Sequence, residues 1–125
     1  MRFVQFSILS LIIILASCNK EDNKVEYSES NKYPVAAFSF TGNDGPAPVT
    51  IQFSNHSESI NPDSVNYVWT FGENGPTSEE KNPVQTFYNN TSNGMTKQIT
   101  LRVFDQVSGY SQARSIAITI EPAVK

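Results

Sequence analysis

Between Phe38 and Ile120, apolar side chains occupy every second position in one short stretch after another. Val49, Ile51 and Phe53 alternate with Thr50, Gln52 and Ser54, while Val65, Tyr67, Trp69 and Phe71 keep a single parity. Ile99, Leu101 and Val103 flank Thr100 and Arg102, and Ile116, Ile118 and Ile120 oppose Ser115, Ala117 and Thr119. A period of two sends successive side chains to opposite faces of an extended chain, so each stretch reads as a strand with one buried face. Phe38 and Phe40 mark a further strand, and Val84 to Tyr88 another. No segment carries a convincing helical pattern. The stretches are separated by Asn43-Asp44-Gly45-Pro46, Asn61-Pro62-Asp63, Gly72-Glu73-Asn74-Gly75-Pro76, Asn93-Gly94 and Ser108-Gly109, all strong turn formers. The expectation is an all-β chain of about seven short strands folded as an antiparallel β-sandwich. Residues 34 to 122 would form it, enough for one small core without disulfides.

The first 17 residues do not share this pattern. Met1-Arg2 gives a positive start, Phe3 to Ala16 is largely apolar, and the run Leu11-Ile12-Ile13-Ile14-Leu15 ends at small residues. A bilayer-spanning helix needs roughly 20 apolar residues, and Ser17, Asn19, Lys20, Glu21 and Asp22 end this one too soon. The length and flanks are those of a signal peptide rather than of a buried helix. Leu15-Ala16-Ser17-Cys18 resembles the bacterial lipobox. That resemblance implies cleavage before Cys18 and a thioether-linked diacylglycerol on it, with an amide-linked third chain such as palmitate. Two or three acyl chains would hold firmly, since each buried methylene contributes about 0.8 kcal/mol. Cys18 is the only cysteine of the chain, so a disulfide would need another molecule.

From Asn19 to about Tyr33 the sequence is polar and carries no sustained period. Residues 18–33 therefore read as a lipidated cysteine followed by a flexible tether, and residues 123–125 as a short tail. Within the tether, Lys20-Glu21-Asp22 resembles the export signal that sends Bacteroidota lipoproteins to the outer leaflet of the outer membrane. The location this implies is the outer membrane, lipid-anchored and facing the cell exterior.

Tyr67-Val68-Trp69-Thr70-Phe71-Gly72, Ser78, Asn82-Pro83 and Leu101-Arg102-Val103 together resemble the PKD domain, an immunoglobulin-like sandwich common on bacterial surfaces. Pro34-Val35-Ala36-Ala37-Phe38 and Pro48-Val49-Thr50-Ile51-Gln52-Phe53 are similar to its first two strands, so the resemblance covers nearly all of 34 to 122. The chain departs from the family pattern at Glu73-Asn74-Gly75, one residue longer than the usual Asp-Gly turn. It departs again at Gln85 and Phe87, where the family prefers His and Tyr. Trp69, on the inward parity, is the expected centre of the core.

Little in the sequence supports catalysis. His56, the only histidine, sits where a strand gives way to a turn, with no nucleophile elbow beside it. Glu79-Glu80-Lys81 reads as a solvated loop, since paired catalytic carboxylates need a fixed separation across a cleft. No resident cofactor is expected. Calcium is the one metal worth naming, because Asn43, Asp44, Asp63, Glu73 and Asn74 offer hard oxygen ligands in loops, although the same residues are ordinary turn formers. Removing residues 1 to 17 leaves 8 Lys and Arg against 12 Asp and Glu, with no basic cluster to attract nucleic acid. Asp63-Ser64-Val65 resembles the O-glycosylation sequon of Bacteroidota secreted proteins, which makes Ser64 the candidate acceptor. Tyr88, Phe104 and Tyr110 are candidate ligand contacts: Phe104 breaks the inward parity and the tyrosines lie at strand ends.

The function expected is noncatalytic. A surface lipoprotein would use its sandwich to engage an envelope protein or a glycan, or to act as a spacer. The alternative is a polysaccharide-binding accessory subunit of an outer-membrane nutrient-uptake system. Its partners would be the membrane, through the lipid anchor, and that protein or glycan. Oligomeric state is left open.

Overall fold

The computed structural model describes residues 33–125. Its strands are β1 (Phe38–Thr41), β2 (Val49–Asn55), β3 (Val65–Phe71), β4 (Thr77–Ser78), β5 (Val84–Phe87), β6 (Met95–Asp105) and β7 (Ser111–Ile120). One turn of 3-10 helix covers Pro62–Ser64, and the described residues contain no α-helix. Strands β1-β2-β5 form one antiparallel sheet and β4-β3-β6-β7 the other. The two sheets make an immunoglobulin-like β-sandwich, as the alternation demands.

The register explains the core. Trp69 lies opposite Leu101, Phe71 opposite Ile99 and Tyr67 opposite Val103, which puts all six on one face of the larger sheet. Ile51 and Phe53 of β2 meet them from the smaller sheet, and both are buried, as are Trp69, Ile99, Leu101 and Val103. The Trp69 ring packs 5.0 Å from Phe38 and 5.5 Å from Phe53, and stacks on Phe71 at 6.2 Å. Phe87 contributes a buried ring packed edge-on against Phe71.

Two strands run beyond the apolar triplets that announced them. β6 begins at Met95 and β7 at Ser111. Their extra residues pair through polar and small side chains, Thr96 with Thr119 and Arg102 with Ala113. Sheet pairing is made by backbone groups, so it continues where the outer face is polar and where the sandwich no longer covers the inner one.

The passage from one sheet to the other is fixed by Trp69. Its indole N–H donates to the Glu80 carbonyl at 2.9 Å, which draws the chain off the sheet just after β4. Asn82 and Pro83 then fasten it to β2. The Asn82 side-chain oxygen accepts from the Asn55 N–H at 2.8 Å, and the Pro83 carbonyl accepts from the Phe53 N–H at 2.9 Å. Trp69 and the Asn82-Pro83 pair thus hold the crossing, and β4 before it spans only the two residues Thr77 and Ser78.

The chain enters and leaves at opposite ends. Val35 is bridged to Glu58, and the Ala36 N–H donates to the Gln112 side chain near the start of β7. Past the end of β7, Glu121 accepts from the Ala47 N–H, and the Ala123 N–H donates to the Asn89 carbonyl. The ten residues of β7 separate these points by roughly 30 Å.

Candidate functional site

β4 pairs only with Trp69 and Thr70 of β3, so the edge of β3 from Val65 to Val68 has no strand partner among the described residues. An open groove of about 420 Å³ lies along that edge, lined by Val65, Asn66, Tyr67, Val68, Glu79 and Phe104. Its volume falls within the range of small-ligand sites, roughly 300 to 1,000 Å³. Phe104 stands directly opposite Asn66 on the outer face of the sheet, and Val68 stands opposite Arg102. The Phe104 ring is 41% exposed. An aromatic ring, an amide, a carboxylate and the polar groups of a free strand edge therefore share one shallow surface. Such a surface can stack against an apolar face of a ligand and hydrogen-bond its hydroxyls.

A second concavity of about 310 Å³ lies farther along the larger sheet, lined by Thr70, Gly72, Glu73, Gln98 and Thr100. Thr70 pairs with Thr100, two residues beyond the Val68 and Arg102 pair. The two hollows therefore follow one another along β3 and β6, over roughly 20 Å of strand from Phe104 to Gln98.

The groove's Phe104 end is held by the next residue. Asp105 is buried with 0% exposure and accepts hydrogen bonds from four groups. These are the Ser59 hydroxyl at 2.7 Å, the Asn61 amide at 2.9 Å to one oxygen and 3.2 Å to the other, and the Val107 and Ser108 N–H groups at 2.9 and 3.0 Å. The Asn61 bond chiefly, then those of Ser59 and Ser108, hold the carboxyl well below its ordinary value of 3.8, against the opposing effect of burial. Asp105 thereby ties the loop after β2 to the turn after β6. Little in the sequence singles it out, because an acid beside a turn carries the same signal whether it faces water or four donors. Its one distinguishing mark was its place on the inward parity after Val103.

The three aromatic candidates do not converge. Phe104 lines the groove. Tyr88 follows β5, is 66% exposed, and lies where the chain leaves the smaller sheet. Tyr110 precedes β7 and packs its ring 4.4 Å from Tyr33, at the end where the chain enters. The groove brings in Asn66, Val68 and Glu79 instead. These were unreadable in advance because their meeting depends on the shortness of β4.

The remaining candidates are placed as follows. His56 is exposed just after β2, and its Nε2 lies 2.8 Å from the Ser39 hydroxyl. That is the spacing of a nucleophile and its base, but neither a third group orienting the ring nor a pair of donors facing the serine accompanies it among the described residues. Glu79, Glu80 and Lys81 are exposed in the crossing segment. Asp63 sits in the 3-10 turn beside the entering chain, whereas Asp44, Glu73 and Asn74 lie in loops at the opposite end. No group of three or more His, Cys, Asp or Glu side chains that could hold a metal occurs among the described residues. Ser64 is half-buried, and its carbonyl accepts from the Gln106 N–H. Cys18, Lys20, Glu21 and Asp22 lie outside the described residues. No helix among those described is long and apolar enough to cross a membrane.

No family model matches the sequence, and neither does any curated protein. Among solved structures, one described as giving the structural basis for the promiscuous specificity of carbohydrate-binding modules from the β-sandwich superfamily superposes with a TM-score of 0.60 at 26% identity. The match covers 75% of this chain and 36% of that one, so the chain spans about a third of the length of the structure it resembles. The fold, then, is one to which carbohydrate-binding modules also belong.

Proposed function

We propose that the chain is a noncatalytic, lipid-anchored surface module, built on a PKD-type sandwich, that binds a glycan in the groove between the free edge of β3 and Phe104. The observation that carries this reading is the exposed Phe104 ring set opposite Asn66, with Glu79 at the margin. Pyranose rings present an apolar face and a rim of hydroxyls, which suits a ring flanked by an amide and a carboxylate. The likeness to carbohydrate-binding β-sandwich modules supports the reading. Cys18 provides the membrane anchor, Lys20, Glu21 and Asp22 direct it outward, and residues 18–33 lead to the domain. Ser64, in the turn before β3, is the candidate acceptor of O-linked sugar.

The test is a glycan array probed with the wild-type chain and with Phe104→Ala. Wild type should be retained by at least one polysaccharide class. Loss of the ring should weaken that retention about tenfold or more, equivalent to about 1.4 kcal/mol, with the melting temperature unchanged because the ring is substantially exposed. Equal retention of both proteins would remove Phe104 from the site.

One observation favours a second reading, that of a spacer in an envelope assembly. The chain enters at one end of the sandwich and leaves at the other, the arrangement of a module that extends a path. A spacer would bind no class on the array, whereas a protein-binding module would instead yield a cross-linked partner on intact cells.

A further inference from the structure

The large apolar side chains that face water are unevenly distributed. Among the described residues Tyr33, Val35, Ile60, Phe104 and Val107 are exposed at or beside the end where the chain enters the sandwich, Val68 and Val84 are exposed between the ends on β3 and β5, and Tyr88 and Val124 are exposed near the opposite end. Isolated exposed apolar residues need no explanation, but a concentration of them does.

The grouping is enforced by Asp105. Its carboxylate binds Ser59 and Asn61, the two neighbours of Ile60, and also the N–H groups of Val107 and Ser108. Ile60, 50% exposed, and Val107, 66% exposed, are therefore the tips of two loops clamped on one buried anion. The nearby Tyr110 ring lies against Tyr33, the first described residue. Charges on these loops are acidic, Glu58 and Asp63, with no Lys or Arg from 56 to 64 or from 105 to 110. A phosphate-rich or polyanionic partner is disfavoured by that balance. An uncharged apolar boundary is not.

We propose that this end of the sandwich rests on the surface of a zwitterionic bilayer, with Ile60 and Val107 entering the headgroup boundary and Tyr33 beside them. The inference rests on the reading of Cys18 as the lipid anchor. Cys18 precedes Tyr33 by 15 residues, a span of at most about 50 Å, and the chain arrives at this end and no other. A short link to the lipid keeps the end at an effective concentration of order millimolar, so even weak docking is populated. The consequence is an upright module, with the groove running up its side and the C-terminal loops outermost.

The experiment uses the full chain, processed in its host and reconstituted into vesicles of phosphatidylcholine and phosphatidylethanolamine. Once the Cys18 sulfur is acylated, a cysteine introduced by Val107→Cys is the single free thiol and accepts a nitroxide. Asn90→Cys, in the loop after β5 at the far end, provides the reference. The mass of the purified chain reports the lipid separately. In a lipidated chain, the label at 107 should favour dissolved oxygen over a water-soluble nickel chelate by about 5-fold more than the label at 90, as expected a few ångströms into the headgroups. Adding anionic lipid should not strengthen the effect. Equal accessibility at both positions would overturn the proposal, as would dipolar broadening at 107 from a second copy covering the patch. If the mass shows an unmodified Cys18, the anchor reading itself fails. The labelled chain carrying Cys18→Ser is then added to the same vesicles: partition at 107 retains the docking end, and its absence rejects it.

Discussion

The indole of Trp69 fills the centre of the sandwich and also spends its single donor on the Glu80 carbonyl. Trp69→Ala should therefore lose packing and crossing together, at roughly 3 to 5 kcal/mol, enough to abolish most folding in a domain of this size. A urea titration followed by far-UV circular dichroism measures it, and a midpoint close to that of wild type would contradict the assignment. Asp105 gives a second residue-scale expectation. Its carboxyl is held below the ordinary value in the folded chain, so it stays ionised to lower pH when folded than when unfolded. Its contribution is complete above the unfolded value and is lost as pH falls below about 4. The urea midpoint should hold between about pH 7 and 5 and drop toward pH 2.5, and Asp105→Asn should lower it at neutral pH and flatten the acid limb. An unaltered acid limb in the variant would assign that limb to other carboxyls. Trp69 was legible from parity alone. Two of the four donors around Asp105, Ser59 and Asn61, lie 46 and 44 positions away, and no local pattern announces those.

Among the elements, the turn after β3 shows how Glu73-Asn74-Gly75 is closed by its own backbone. Gly72 has φ +99°, Asn74 has φ 58°, and the Gly75 N–H donates to the Gly72 carbonyl at 2.9 Å. A Cβ at Gly75 would collide with the Phe71 carbonyl. The longer loop thus closes on its own backbone and returns the chain so that the Phe71 N–H meets the Pro76 carbonyl at 3.0 Å. Gly75→Ala should cost about 1 to 3 kcal/mol, read as a lower melting temperature with the same spectrum. The strands themselves were legible because each buries one face, which imposes the period of two. β4 was not, since two residues carry no period. The groove inherits that illegibility: Asn66, Val68 and Glu79 are ordinary strand and loop residues until the shortness of β4 leaves them an open edge. Phe104 alone was visible, as the aromatic on the wrong parity.

For the whole molecule, three kinds of surface are separated along one axis of the described residues. The entering end carries the exposed apolar tips, the side of the larger sheet carries the groove, and the far end carries the polar turns at Asp44, Glu73 and Asn93. Such a division suits a module that stands on a surface and holds a ligand laterally. The choice between binding and spacing turns on whether the groove is occupied by sugar. The most direct measurement is the amide spectrum of the nitrogen-15-labelled chain, titrated with an oligosaccharide of the class retained on the array. Shifts should saturate at Asn66, Val68, Glu79 and Phe104, with Ser39, His56 and Tyr88 unmoved. Shifts confined to Tyr88 and the far loops, or a spectrum that no glycan changes, would contradict it.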